Sequence, residues 1–298
     1  MEKRAFGKTD MQVTVLGFGG AEVGFQSAAQ EDVTRLLNSA LDAGLNVIDT
    51  AECYGGSEEL IGNAVAHRRS EYYLFTKCGH RSGIDLPDWS PELLEQSIER
   101  SLRRLKTDCV DLLQLHTCSE EILRQGDVIA VVQKARDAGK TRYIGYSGDH
   151  QAALYAVQCG AFDSLQTSIS IADQESLELT LPLAHERNMG IIAKRPIANA
   201  AWRTGEKPTN AYLHTYWDRL QLLNYDFLRG ELNTSISIAL RFTLSTPGVH
   251  TAIVGTANPE RWPQNAALLA EGSLPSDLYD AIRARWQSVA EPDWRGQA

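Results

Sequence analysis

The chain has 298 residues, and its 43% apolar content is enough to bury one sizeable core. A formal net charge of −9 argues against nucleic acid or an anionic membrane as the main partner. A chain of this length is expected to form a single domain over residues 1–298. The first ten residues are too polar for a signal peptide, and no apolar stretch approaches the ~20 residues that span a bilayer. Five scattered cysteines suit a reducing compartment, so we expect a cytoplasmic protein.

Eight short apolar runs recur along the chain, each followed by a segment with helical periodicity. Before them, an alternating pattern around Phe6–Thr9 predicts a β-hairpin that closes the bottom of a barrel. The runs are Val13–Phe18, Asn46–Asp49, Tyr72–Lys77, Val110–His116, Arg142–Ser147, Asp163–Ser168, Gly190–Arg195 and Thr251–Gly255. Strands that alternate with helices favour a parallel sheet, and eight such units predict an α/β protein of the (β/α)8 TIM barrel type.

The helical segments between these runs carry their own start and stop signals. One begins with Ser90 as N-cap and Pro91 in its first turn, and another ends at Gly44. The predicted helices cover Val33–Leu41, Leu94–Leu105, Ile129–Ala135, Leu179–Arg187, Leu232–Phe242, Glu260–Leu269 and Leu278–Trp286. The exception is Pro196–Gly230 after the seventh run, where we predict an extended loop, with or without a helix inside, on the functional rim.

Titratable residues lie at or just after the ends of successive runs, where a (β/α)8 barrel carries its active site. Asp49, Lys77 and His116 end three runs, and Tyr54 follows the first of them. A lysine cation lowers the pKa of a phenol from its ordinary ~10, and an aspartate keeps that lysine charged and oriented. A histidine can orient a carbonyl oxygen. The set predicts a proton-transfer unit that needs a separate source of hydride.

These segments resemble the aldo-keto reductase superfamily over almost the whole chain. The similarity lies in three regions: Arg4–Asp10 with Val15–Gly20, Asn46–Gly55, and Ser101–Asp108 with Asp111–His116. It implies a catalytic tetrad of Asp49, Tyr54, Lys77 and His116. It also implies a nicotinamide dinucleotide bound without a Rossmann domain, in agreement with the absence of a G-x-G-x-x-G fingerprint from this sequence.

The resemblance also implies residues that hold the cofactor. Ser147 and Gln166 match positions that bind the nicotinamide carboxamide, although Gly148 replaces an asparagine there. Lys194 stands where many members stack an aromatic ring on the nicotinamide, so stacking is absent or is replaced by the lysine stem.

A last segment, which follows the eighth run, is expected to hold the adenosine phosphates. Asn258 as N-cap and Pro259 in the first turn predict a helix N-terminus, which attracts phosphate. By resemblance the binding residues are Thr256, Arg261, Gln264 and Asn265. Arg261 favours NADP (NADPH), but Ala257 replaces a basic residue of many members, so NAD use stays open.

We therefore predict an NAD(P)-dependent oxidoreductase that interconverts a carbonyl (aldehyde, ketone or sugar) and an alcohol, with Tyr54 as general acid/base. A sugar dehydrogenase working in the oxidative direction is a variant of this hypothesis. The alternative is a cofactor-binding regulatory or auxiliary subunit with little turnover, because the family also contains ion-channel subunits. The expected partner is a small molecule, and the oligomeric state is left open.

Less specific interpretations apply to several of these residues. A buried Lys77–Asp49 pair is also compatible with a purely structural role, and Arg261 considered alone is also compatible with a solvated helix residue. Cys53, Cys78 and Cys118 lie near the tetrad, but no zinc-type spacing is present and we predict no metal. Three aromatic residues are candidates for an apolar pocket wall, with Trp202 preferred. They are Phe25, Trp89 and Trp202.

Overall fold

The computed structural model describes residues 1–297, which form a closed barrel of eight parallel strands preceded by an antiparallel hairpin. The hairpin strands are β1 (Lys3–Ala5) and β2 (Gln12–Thr14). The barrel strands are β3 (Leu16–Gly19), β4 (Val47–Asp49), β5 (Tyr73–Cys78), β6 (Val110–His116), β7 (Thr141–Ser147), β8 (Ser164–Ser168), β9 (Gly190–Lys194) and β10 (Thr251–Gly255). They follow chain order around the barrel and β10 pairs with β3, which confirms the predicted (β/α)8 fold.

The predicted hairpin is present, and its apolar side chains close one end of the barrel. Phe6, Met11 and Val13 are fully buried against residues at the lower ends of four barrel strands. The predicted run Val13–Phe18 is therefore wrong as a single strand, because Val13 belongs to β2 and the barrel strand begins at Leu16. Between them the N–H of Val15 donates to the backbone carbonyl of Glu2 (3.1 Å). A continuous apolar pattern does not reveal such a change of pairing partner.

Helices surround the barrel. They are α1 (Ala21–Phe25), α2 (Gln30–Asp42), α3 (Ser57–Val65), α4 (Pro91–Leu105), α5 (Glu120–Gln125), α6 (Asp127–Asp137), α7 (His150–Cys159), α8 (Ser176–Leu179), α9 (Leu181–Glu186), α10 (His214–Leu223), α11 (Leu232–Ser245), α12 (Arg261–Ala267) and α13 (Ser276–Val289). α4 begins as predicted, because the Ser90 hydroxyl accepts from the N–H of Leu93 (3.3 Å) ahead of Pro91. The predicted helix Leu179–Arg187 is divided between α8 and α9, where Pro182 lacks a backbone donor.

The predicted loop after the seventh barrel strand is a folded segment. It contains α10 and three short 3-10 helices: Ala198–Ala200, Ala211–Leu213 and Asp226–Arg229. Tyr216, Leu220 and Tyr225 are buried in an apolar cluster with residues of α11 and α13. The segment therefore has a core of its own beside the barrel wall. Across residues 1–297, no helix combines the length and apolar character needed to cross a membrane.

Candidate active site

The pairing register brings the predicted polar residues to one end of the barrel. On three neighbouring strands, His116 pairs with Ser147, and Ser147 pairs with Gln166. On the strand before them, Lys77 pairs with Gln114 of β6. Because parallel strands end on the same side of the barrel, these side chains converge at its carboxyl-terminal mouth.

The centre of this mouth is a buried ion pair. Lys77 Nζ lies 2.5 Å from Asp49 Oδ2, and both side chains are only 1% exposed. The same ammonium donates to the carbonyl of Thr50 (2.8 Å). Burial is the largest single influence and lowers the pKa of Lys77, but Asp49 together with Tyr54 and Cys53 outweighs it, so the pKa lies above its ordinary value. Lys77 therefore stays protonated at neutral pH.

A hydrogen-bonded chain joins this pair to two residues predicted to bind cofactor. Gln166 Nε2 donates to Asp49 Oδ1 (2.9 Å), and the Ser147 hydroxyl donates to Gln166 Oε1 (2.8 Å). Gln114 Nε2 also reaches Asp49 Oδ1, at 3.3 Å. Sequence reasoning missed Gln114, although its place two residues before His116 on one strand puts both on the same face. Asp49 is thus the acceptor that ties Lys77 to Ser147 and Gln166.

Tyr54 lies over Lys77, whose Nζ is 5.1 Å from the centre of the phenol ring. Burial raises the pKa of Tyr54 above its ordinary value, and the cation of Lys77 offsets this only in part. Lys77 thus acts in the predicted direction, but burial is the larger effect and leaves the pKa of Tyr54 above its ordinary value. Tyr54 keeps its proton at neutral pH, as a proton donor must.

His116 faces Tyr54 edge to face, with ring centres 5.5 Å apart. Burial, with the cations of Lys77 and Lys194 among the smaller causes, holds the pKa of His116 well below its usual range. The imidazole is therefore neutral and carries a single ring proton. Its Nδ1 lies 3.3 Å from the sulfur of Cys53, a contact that sequence reasoning did not anticipate.

The outer wall of the mouth is aromatic. The ring of Phe25, 67% exposed, lies edge-on to Tyr54 with centres 5.5 Å apart. This approach requires Gly24, since a Cβ there would lie 1.7 Å from the Tyr54 carbonyl oxygen. On the other side Trp89 packs on His80 (5.3 Å).

His80 and Trp202 depart from expectation in opposite ways. His80 packs on His116 with ring centres 5.4 Å apart, so it belongs to the site although no motif singled it out. Its backbone N–H donates to buried Glu52 (2.9 Å), which holds the loop in place. Trp202, the preferred pocket residue, is only 7% exposed and packs in the cluster beneath the long segment after β9. Phe25 and Trp89, rather than Trp202, are the aromatic side chains in ring contact with site residues.

Lys194 has a partner that the sequence did not indicate. Its Nζ lies 2.8 Å from Asp149 Oδ2, and Asp149 also accepts from the hydroxyl of Thr167 and the N–H of Ser168, both at 2.7 Å. Burial raises the pKa of Asp149, but Lys194 and these donors outweigh it and hold the pKa below its ordinary value. Gly148 leaves room for the Tyr146 ring, because a Cβ would lie 2.4 Å from the Tyr146 hydroxyl.

The predicted phosphate segment follows β10 at the same end of the barrel, since Gly255 pairs with Gly19 and Gly19 pairs with Asp49. The predicted helix start at Pro259 is wrong: the Asn258 side chain accepts from the N–H of Glu260 (3.0 Å) in a turn, and the helix begins at Arg261.

The four side chains predicted to bind phosphate differ in exposure. Arg261 is exposed and forms no ion pair with any residue between 1 and 297, so its guanidinium is free to meet an anion. Gln264 is exposed, Thr256 is half-buried, and Asn265 is 8% exposed.

The oxygen atoms of Ser147 and Gln166 suit the N–H groups of a primary amide. The Ser147 hydroxyl gives its single proton to Gln166 Oε1, so both oxygens retain lone pairs that can accept from a carboxamide N–H. For a metal ion the described chain offers little, as residues 1–297 contain no group of three or more histidine, cysteine or acidic side chains placed to hold one.

Comparison with known proteins agrees with this geometry. The model of the Aldo/keto reductase family matches residues 15–287. The chain is 28% identical to the uncharacterized oxidoreductase YqkF of Bacillus subtilis, covering 95% of this chain and 96% of that protein. It is also 28% identical to L-galactose dehydrogenase of Arabidopsis thaliana, covering 91% and 89%. The structure of aldo-keto reductase AKR11C1 from Bacillus halodurans, in its holo form, has a TM-score of 0.85, 25% identity and 99% coverage of both chains.

Proposed function

Because the chain belongs to the aldo/keto reductase family, we propose that it reduces the carbonyl group of a small molecule with NADPH, and catalyses the reverse oxidation, with Tyr54 as general acid and base. The observation that carries this proposal is the buried Lys77–Asp49 pair beneath a protonated Tyr54 and beside a neutral His116. A carbonyl oxygen that lies between Tyr54 and His116 meets two neutral donors above a fixed cation.

Each side chain has one task in this mechanism. A bound nicotinamide supplies the hydride that the carbonyl carbon receives. Tyr54 transfers its phenolic proton to the carbonyl oxygen as that oxygen becomes negative. Lys77 then stabilises the phenolate left on Tyr54, and Asp49 keeps Lys77 charged and in place. His116 donates a hydrogen bond to the same oxygen. In the oxidative direction the phenolate takes the proton back.

The cofactor residues keep the roles predicted from the sequence. Ser147 and Gln166 would hold the carboxamide by accepting from its N–H groups. Lys194, paired with Asp149, would border the nicotinamide with its stem. Arg261 would meet the adenosine phosphates together with Thr256, Gln264 and Asn265. The free guanidinium of Arg261 is what favours NADP over NAD.

The test is Tyr54→Phe, with Tyr155→Phe on α7 as the matched control. Loss of a general acid removes ~10²–10⁴-fold in rate, so kcat/KM for 4-nitrobenzaldehyde with NADPH should fall by that factor. The Kd for NADPH, measured by fluorescence, should stay near that of the wild type in both variants. Turnover by Tyr54→Phe close to the wild-type value would refute Tyr54 as the proton donor.

The auxiliary-subunit alternative makes a different prediction for the wild-type protein. An enzyme loaded with NADPH and mixed with 9,10-phenanthrenequinone or 4-nitrobenzaldehyde loses nicotinamide absorbance rapidly. An auxiliary subunit binds NADPH but keeps a stable signal across a wide panel of aldehydes, ketones and sugars. The assembled proton-transfer residues favour the first outcome.

A further inference from the structure

Within residues 1–297 the ring nitrogens of His116 have one hydrogen-bond partner, and it is a thiol. Cys53 Sγ lies 3.3 Å from Nδ1 of the imidazole. Among residues 1–297, no side chain or backbone group forms a hydrogen bond with Nε2 of this histidine. The two ring nitrogens therefore have different surroundings: Nδ1 faces the wall of the site, and Nε2 is left for a ligand.

The protonation states decide the direction of this hydrogen bond. Burial, reinforced by the nearby carboxylate of Glu52, raises the pKa of the Cys53 thiol to about 11, so the sulfur keeps its proton. His116 is neutral, so one ring nitrogen carries hydrogen and the other offers a lone pair. An imidazole lone pair is a good acceptor, whereas a thiol sulfur is a weak one. The S–H therefore points to Nδ1.

We propose that Cys53 is a positioning residue that donates its S–H to Nδ1 of His116 and so holds the ring proton on Nε2, directed at the substrate oxygen. In the other tautomer, Nε2 would present a lone pair to the lone pairs of a carbonyl oxygen, which repels the substrate. The effect on turnover rests on the proposed function. The position of the ring proton does not.

The second histidine of the site does not compete for Nδ1. His80 Nε2 lies 3.3 Å from the Thr117 hydroxyl, which itself donates to the carbonyl of His116 (2.6 Å). The hydroxyl proton is thus in use, and Thr117 accepts from His80. His80 meets His116 ring to ring instead, at 71° between planes.

The experiment is nitrogen-15 NMR of histidine-labelled protein without substrate, on the wild type, Cys53→Ala and Cys53→Ser. In the wild type the signals should show His116 with hydrogen on Nε2 and a bare Nδ1. Cys53→Ser keeps a donor and should keep this pattern, whereas Cys53→Ala should show a mixture of tautomers. Cys159→Ala, which removes an exposed thiol on α7, is the control and should change nothing.

Kinetics supply the second readout. Cys53→Ala should lower kcat by about three- to tenfold, the scale of one neutral hydrogen bond, and Cys53→Ser should restore it. The Kd for NADPH should not change. Hydrogen on Nδ1 in the wild type, or an unchanged tautomer in Cys53→Ala, would overturn the proposal. The expected tautomers in a protein without carbonyl turnover would support the placement of the proton and refute the proposed function instead.

Discussion

Replacing Asp49 with asparagine should separate the stability of the site from its catalysis. Asp49 is the only acidic partner of Lys77 among residues 1–297, and both side chains are 1% exposed. In Asp49→Asn the ammonium of Lys77 keeps the carbonyl of Thr50 (2.8 Å) but loses its counter-charge. In Lys77→Met the carboxylate of Asp49 still accepts from Gln166 and Gln114. The first change should therefore be the more damaging to folding.

The magnitude follows from the burial of both charges. Removal of one partner from a buried ion pair costs about 3–5 kcal/mol, because the other charge stays uncompensated. We expect Asp49→Asn near the upper end and Lys77→Met near the lower end of that range. The double variant removes both charges together and should be less destabilised than the sum of the singles by about 2 kcal/mol or more. Turnover should not return, since Tyr54 still lacks its cation.

Urea unfolding followed by tryptophan fluorescence gives the free energies, and kcat/KM with NADPH and 4-nitrobenzaldehyde gives the catalytic effect. The exposed pair Lys134–Glu95 (2.7 Å) supplies a control cycle, in which no coupling should be measurable. Additive destabilisation in the Asp49/Lys77 cycle would contradict the pairing energy inferred from the structure. If the double variant regained turnover as well as stability relative to the single variants, the Asp49–Lys77 pair would have only a structural role.

Three further outcomes follow. Arg261→Ala should raise the Kd for NADPH about tenfold in a fluorescence titration and leave NADH binding almost unchanged, because one charge-assisted phosphate contact is lost. Burial, with the carboxylate of Asp149, raises the pKa of Asp173 from 3.8 to about 8, so native protein holds a proton that unfolded protein releases. The free energy of unfolding of the wild type should therefore fall as pH rises between those values. Relative to the wild type, that of Asp173→Asn should rise by up to about 1.4 kcal/mol per pH unit, as measured by urea unfolding. Phe6→Ala should cost about 3–5 kcal/mol in the same assay, with unchanged turnover per folded molecule, because Phe6 fills the barrel end opposite the site.

Each of these has a result that would count against it. Equal weakening of NADPH and NADH by Arg261→Ala would mean that the side chain supports its loop. If the difference in unfolding free energy between Asp173→Asn and the wild type does not change with pH, Asp173 is already ionised in the folded protein. A fall in turnover of folded Phe6→Ala would show that the hairpin shapes the active end.

The barrel and the order of its polar residues follow from patterns that short stretches of chain carry on their own. Apolar runs bounded by turn residues predict strands, and Ser90–Pro91 predicts the start of α4, because each signal acts within a few residues. Asp49 and His116 end their strands and Lys77 is the last but one residue of its strand, so the topology alone brings them to one mouth. The match of the aldo/keto reductase family model to residues 15–287 confirms the family, and it covers all of the resembling segments except Arg4–Asp10. The roles of the individual site residues stay predictions.

What depended on the tertiary structure involves partners far apart in the chain. Local pattern cannot show that Asp149 pairs with Lys194, that Cys53 meets His116, or that β2 ends before the barrel begins. The pKa of Tyr54 is the clearest case. A neighbouring lysine predicts a lower value, yet burial by surrounding segments raises it, and desolvation is a property of the assembled mouth rather than of any motif. Periodicity records which face of an element is covered, and only the closed barrel decides what covers it and how far water is excluded.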